Sequence, residues 1–250
     1  IRIIFPEGTT LPTTIATTNM TISGANPASI SVNQSARSVT ASVSQNNLNA
    51  GTFDVIILNA ASIINPIVPS STFYTVTMNT SQDLSPSVSP AYSIIGDNTQ
   101  VSAVSASANP SVIGRSNVAY TVNFTTTATG KIAGGESAGS STITIDFDDL
   151  GTSVPGTIAA SSVEINSNPA QTVTVTNPGG IVEVTMPNGL TIDNSTAVTV
   201  DFDTSAGLDN LSQETNSISV FTSSDTLAGS GAYLLSTSSS LSVTSVSPNP

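Results

Sequence analysis

The 250-residue chain has no cysteine, no histidine and no tryptophan, and its only basic residues are Arg2, Arg37, Arg115 and Lys131. Each absence excludes a class of chemistry. Without Cys or His there is no zinc site of the usual kind, no haem or iron–sulfur ligation, no thiol nucleophile and no His-based triad. Four cations against 16 acids, a formal net charge of −12, cannot neutralise a phosphate backbone, so nucleic acid is excluded as a partner. No apolar run approaches the length that crosses a bilayer, so no membrane insertion is expected. The stretch carries no n-region, h-region or cleavage pattern, so any signal peptide is expected to lie outside it.

What the chain does contain is small hydroxyls: 42 Ser and 36 Thr, nearly a third of all residues. Charged residues are only 8 %, against about a quarter in ordinary soluble domains. Hydrophobic content of 38 % with a mean hydropathy of +0.19 still leaves material for a core and argues against disorder. A chain poor in Lys and rich in Thr, Ser, Asn, Val and Ile points to an extracellular, cell-surface setting. Missing disulfides do not contradict this, because a domain of about 140 residues buries enough surface to hold without them.

The chain repeats itself. Ile1-Arg-Ile-Ile-Phe5 returns as Ile143-Thr-Ile-Asp-Phe147, Pro12 as Pro155, and Ile15-Ala16 as Ile158-Ala159. Val76-Thr-Met78 answers Ile218-Ser-Val220, Ala91-Tyr92 answers Ala232-Tyr233, and Ala108-Asn109-Pro110 answers Pro248-Asn249-Pro250. The period is about 140 residues, the size of a domain rather than of a solenoid turn. Residues 1–109 read as an incomplete first repeat that lacks the counterpart of 110–142, and residues 110–250 as a complete second one. Ala106-Ser-Ala-Asn-Pro110 reads as the stiff linker between them.

Alternation with period two dominates. It places Tyr120, Val122 and Phe124 on one face, and likewise Ile143, Ile145 and Phe147, then Val198, Val200 and Phe202. The apolar positions are largely β-branched, which favours a pleated surface over a helix. Asn188-Gly189 predicts a tight turn with positive φ, Asn177-Pro-Gly-Gly180 predicts a hairpin, and Pro12 and Pro155 each predict the start of a single helical turn. Eight or nine strands in about 140 residues, with turns every 8–12, is the pattern of an immunoglobulin-like sandwich. The expected fold is therefore all-β: tandem immunoglobulin-like antiparallel β-sandwiches. The whole chain resembles the tandem Ig-like repeats of large bacterial or archaeal extracellular surface proteins, such as fibrillar adhesins, filaments and S-layer-like coats. The resemblance rests on composition, repeat length and strand pattern.

Acids are unevenly shared, four in residues 1–109 and twelve in 110–250. Asp146, Asp148 and Asp149 close one strand, and Asp201, Asp203 and Asp209 follow another. Calcium takes about six to eight oxygen ligands, and strand-end Asp clusters can supply several, so these six are the candidate metal ligands. Their spacing departs from the EF-hand loop. The first copy also carries Ile4, Pro6 and Glu7 in place of the first cluster, and Asn59 and Asn65 near the second. The competing reading is a solvated acidic edge that keeps the chain soluble and discourages edge pairing. Glycoside hydrolysis needs paired carboxyls in a cleft with aromatic platforms, and aromatics are 4 % of the chain and fall on core faces. Lys131 in a Gly-rich loop reads as a loop-tip charge rather than a base for Ser.

No catalytic residue and no organic cofactor is assigned. The expected function is that of a structural segment of an extracellular filament, stalk or coat whose partners are copies of itself or neighbouring repeats, joined by strand addition at sheet edges. Two alternatives stand beside it. One is an adhesin module that binds a glycan or host surface, for which Phe73-Tyr74 is the one aromatic pair in view. The other is an accessory domain of a secreted hydrolase.

Overall fold

The computed structural model describes residues 1–43, 51–147, 151–176 and 180–237. The chain is all-β, with several antiparallel sheets and short 3-10 turns at Thr17–Asn19, Asn59–Ala61, Ala160–Ser162 and Thr204–Ala206. It divides into two compact units. Unit 1 is Ile1–Gly96 with the turn Glu136–Gly139, and unit 2 is the remainder from Asp97 onward. The division falls at Gly96–Asp97, whereas the sequence places it at Asn109–Pro110.

Unit 1 contains β1 (Arg2–Ile4), β2 (Met20–Ile22), β3 (Ser29–Asn33), β4 (Ser38–Ser42) and β5 (Val55–Ile57). It continues with β6 (Ser70–Tyr74), β7 (Thr77–Asn79), β8 (Ser87–Val88) and β9 (Tyr92–Ile94). One sheet runs β3-β4-β1-β7-β8, while β2 pairs with β5 and β6 with β9.

Unit 2 opens with β10 (Asp97–Gln100), β11 (Ser102–Asn109), β12 (Ala119–Thr125), β13 (Ile132–Ala133) and β14 (Thr142–Phe147). Next come β15 (Thr152–Ser153), β16 (Val163–Ile165), β17 (Asn168–Pro169), β18 (Thr172–Thr176) and β19 (Ile181–Thr185). Last are β20 (Thr191–Ile192), β21 (Ala197–Phe202), β22 (Asp209–Asn210), β23 (Thr215–Thr222), β24 (Asp225–Leu227) and β25 (Gly229–Leu234). Two five-stranded sheets, β11-β12-β21-β16-β17 and β18-β19-β14-β23-β25, enclose one core. The alternation delivers that core: Tyr120, Val122 and Phe124 from one sheet and Ile143, Ile145 and Phe147 from the other are all buried. Edge-to-face ring contacts join Tyr120 to Phe147 and Tyr233, and Phe147 to Phe202, at 5.6–5.9 Å between centroids.

Several turn expectations can be placed. Gly189 has φ +81° in the turn after β19, and β18 and β19 form an antiparallel pair up to Thr176 and Ile181. Residues 177–179 of that hairpin lie outside the described residues. The 3-10 turns fall at Thr17–Asn19 and Ala160–Ser162, a few residues beyond Pro12 and Pro155. The intervening Thr13, Thr14 and Ile15 are β-branched and hold the chain extended. The stretch read as a linker, Ala106 to Asn109, is part of β11, which pairs with β12 in register from Ser105↔Asn123 to Asn109↔Ala119. The start of β11 lies close to β25, which accommodates it with glycines: a Cβ on Gly231 would sit 2.0 Å from the Val104 carbonyl oxygen, and one on Gly229 2.4 Å from that of Val101.

The two units share the order of one five-stranded sheet and the register of several strand pairs. The order β3-β4-β1-β7-β8 is the order β18-β19-β14-β23-β25. The pairs Met20↔Ile57 and Ile22↔Val55 answer Val163↔Phe202 and Ile165↔Val200. Burial separates the units at particular places. Ile3 and Ile145, Met20 and Val163, Val39 and Val182, and Ala61 and Ala206 are buried in both. Ile30 and Val32 on an outer strand are half-buried, as are their counterparts Val173 and Val175. By contrast Phe5, Val76, Met78 and Tyr92 are half-buried where Phe147, Ile218, Val220 and Tyr233 are buried. Phe53, Val55 and Ile57 are half-buried where Val198, Val200 and Phe202 are buried.

Candidate functional site

Of the acidic residues singled out from sequence, the described ones, Asp146, Asp201, Asp203 and Asp209, do not assemble. Asp146 sits on β14 between Ile145 and Phe147, which point into the core, so its carboxylate faces outward from that sheet. Asp201 sits between Val200 and Phe202 on β21 and faces outward from the opposite sheet, where it accepts the Thr121 hydroxyl at 2.6 Å. The full thickness of the core lies between them. Asp203 caps the turn Thr204–Ala206, accepting the Ser205 amide at 2.7 Å. Asp209 accepts the Asn117 amide at 2.8 Å. Asp148 and Asp149 lie outside the described residues. Among the described residues no three acidic side chains gather as a metal site. The proximity in sequence misleads because period two and the return of the chain through a second sheet disperse the carboxylates.

Lys131 pairs with Asp193 at 2.7 Å, both well exposed. Such a pair is worth at most about 1 kcal/mol, and Lys131 is thereby a surface charge. The aromatic pair Phe73-Tyr74 is split by the strand it occupies. Tyr74 is buried and donates its hydroxyl to the Val68 carbonyl at 2.6 Å, leaving Phe73 exposed beside it.

Polar chemistry does occur inside unit 2, in two places that sequence reading missed. In the first, the Tyr120 hydroxyl donates to Asn210 Oδ1 and shares a 2.8 Å hydrogen bond with Thr152, whose hydroxyl in turn meets that of Tyr233. Asn210 Nδ2 donates to the carbonyls of Pro110 and Val112 at 2.9 Å. Burial pushes the Tyr120 phenol well above its ordinary range. The signal was present in outline, since alternation places Tyr120 inside and a buried phenol requires a partner. In the second, Asp225 is fully buried. Its carboxylate accepts the Thr99 hydroxyl at 2.6 Å and both the amide and hydroxyl of Thr127, while its own amide donates to Thr222 at 2.8 Å. Gly130 leaves room for it, because a Cβ there would lie 1.9 Å from Oδ2. Nothing in Ser-Ser-Asp-Thr distinguishes this aspartate from a loop residue. Both clusters have the same design, in which buried polar groups consume one another's hydrogen bonds and tie β10, β12, β15, β22 and β24 together.

The remaining feature is an edge. In unit 2, β21 pairs with β16 on one side and with β12 on the other, from Tyr120↔Phe202 to Thr125↔Ala197. In unit 1, β5 pairs with β2 and has no partner on its other side among the described residues. The Leu58 amide goes to the Asn19 carbonyl and the Ser23 amide to the Asp54 carbonyl. By alternation the amides of Val55 and Ile57 therefore point to the open side.

No helix among the described residues is long and apolar enough to cross a membrane. No protein-family model matches the chain, and no curated protein matches it. Among solved structures, the crystal structure of BslA, a bacterial hydrophobin, is similar at a TM-score of 0.35 and 9 % identity, over 54 % of this chain and 98 % of that one.

Proposed function

We propose that this chain is a load-bearing segment of an extracellular repeat protein, a filament, stalk or surface coat, built from tandem immunoglobulin-like sandwiches of about 140 residues. The observation that carries this reading is the shared order of one five-stranded sheet in the two units, with matching registers in its strand pairs and in β2–β5 and β16–β21. It is supported by how the chemically capable side chains are used. Tyr and Phe rings fill the core, and the carboxylates cap turns or satisfy neighbouring hydroxyls. Antiparallel strands paired edge to edge resist extension because their hydrogen bonds share load along the strand. The exposed surface of Ser and Thr, with almost no Lys, suits a setting outside the cell.

Electron microscopy of the native material, with surface labelling of intact cells, tests the reading. Fibres or sheets of regular period that carry the label are the expected result. A dispersed monomer, or a chain protected from label inside the cell, would overturn it.

A further inference from the structure

We infer that the open side of β5 is an acceptor groove for one extended strand of the β12 type, supplied by another repeat of this kind. The inference rests on the repeat reading above, and its geometry comes from comparing the two units. The residues that lose burial in unit 1 are not scattered. They are Phe53, Val55 and Ile57 at β5, Phe5 just after β1, Val76 and Met78 at β7 and Tyr92 on β9, whose unit-2 counterparts form the part of the core to which β12 contributes Tyr120, Val122 and Phe124. Leu11 and Val154, Ile15 and Ile158, and Ile22 and Ile165, away from that seat, are buried in both units. The groove thus has the shape left when one strand is taken out of a sandwich. Along its margin the amides of Val55 and Ile57 point to an unpaired edge. A strand added there gains main-chain hydrogen bonds for affinity and pockets for alternate side chains for specificity.

The occupant's chemistry follows from the seat. It runs antiparallel to β5, as β12 does to β21. It carries bulky apolar groups at alternate positions, with Thr or Asn between them facing solvent. It is a single strand rather than a hairpin. In unit 2, β11 flanks β12 on its outer side and lies against β25, which requires Gly229 and Gly231. The registers Met78↔Ser87 and Val220↔Gly229 place Ser87 and Ser89 at the corresponding points of unit 1, where their Cβ atoms close that seat. Another repeat is the natural source, because β12 of unit 2 carries this alternation of buried apolar and outward polar residues.

The test adds a synthetic peptide of residues 118–126 to the intact chain and follows amide hydrogen exchange. The expected result is saturation at one peptide per chain, with exchange at Val55 and Ile57 slowed at least tenfold. A peptide with Tyr120, Val122 and Phe124 replaced by Ser is expected to do neither. Ile56→Thr, on the outward face of β5, is expected to leave binding intact, and Phe53→Asp to abolish it while unit 2 exchange stays unchanged. Three results would overturn the groove: no slowing by the native peptide, equal slowing by the serine peptide, or a concentration-dependent dimer covering both faces that the peptide does not reverse. Ordered native fibres with no peptide binding would sink this inference and leave the load-bearing reading standing. Peptide binding by a chain whose native form is a dispersed monomer would do the opposite.

Discussion

At the scale of single residues, stability in unit 2 depends on a few buried polar atoms. Removing the Tyr120 hydroxyl strands Asn210 Oδ1 and leaves Thr152 with one partner fewer. Tyr120→Phe is therefore expected to cost about 1–3 kcal/mol, read as a lower urea midpoint with an unchanged slope. The same phenol makes the fold sensitive to alkali. Burial raises its folded-state pKa above the ordinary 10.0, so its contribution is complete below about pH 10 and is lost as pH rises above that. Each such proton withheld from the unfolded state steepens the decline by about 1.4 kcal/mol per pH unit. Urea titrations from pH 8 to 12 should show the decline in the native chain and a shallower one in Tyr120→Phe. Asp225→Asn exchanges an acceptor for a donor facing the Thr127 amide, and a loss of about 2–4 kcal/mol is expected from the broken, fully buried network. A loss below about 0.5 kcal/mol would mean that the Thr99 and Thr127 contacts carry no net stability.

At the scale of elements, β12, β14, β21 and β23 were legible because one face of each is buried. Burial writes Tyr120-x-Val-x-Phe124 and Ile143-x-Ile-x-Phe147 into the sequence. β11 was not legible as a strand. Its inward side chains are Ala106 and Ala108, which resemble a linker by composition, yet the strand pairs with β12 and its start lies close to β25. The aspartates misled for a related reason. Neighbours in sequence such as Asp201 and Asp203 fall on different structural features, and which sheet a strand joins is not written in its own residues. The glycines of β25 give its close approach to β11 a direct test. A methyl group on Gly231 meets backbone oxygen rather than a flexible side-chain end, so Gly231→Ala should cost about 1–3 kcal/mol through overpacking. Amide exchange along Ser105–Asn109 should rise with it. Ser89→Gly, at the corresponding point of unit 1, meets no overpacking but loses the hydroxyl that accepts the Val76 amide at 2.9 Å, and should cost about 1 kcal/mol.

At the scale of the whole chain, the two units share an architecture but differ in how completely their cores are covered, and this makes their stabilities unequal. Unit 2 brings both five-stranded sheets to one core, and β10 and β11 belong to it, held by Asp225, by the β12 ladder and by the approach to β25. Among the described residues unit 1 sets the pair β2–β5 against its long sheet, and half-buried Phe5, Phe53, Val76 and Met78 border its core. Exposed apolar area contributes little to holding a fold, because burial stabilises at about 25 cal/mol per Å² only for surface removed from water. The intact chain should therefore unfold in urea in two steps, with Tyr74 and Tyr92 reporting the first and Tyr120 and Tyr233 the second. Fragments locate the boundary. Residues 97–237 should fold alone and reproduce the second step. Residues 110–237 lack the strand that covers β12 and the Thr99 ligand of Asp225, and should show no cooperative transition. A cooperative, native-like 110–237 would return the boundary to Asn109–Pro110 and make β11 a linker that merely rests on the sheet.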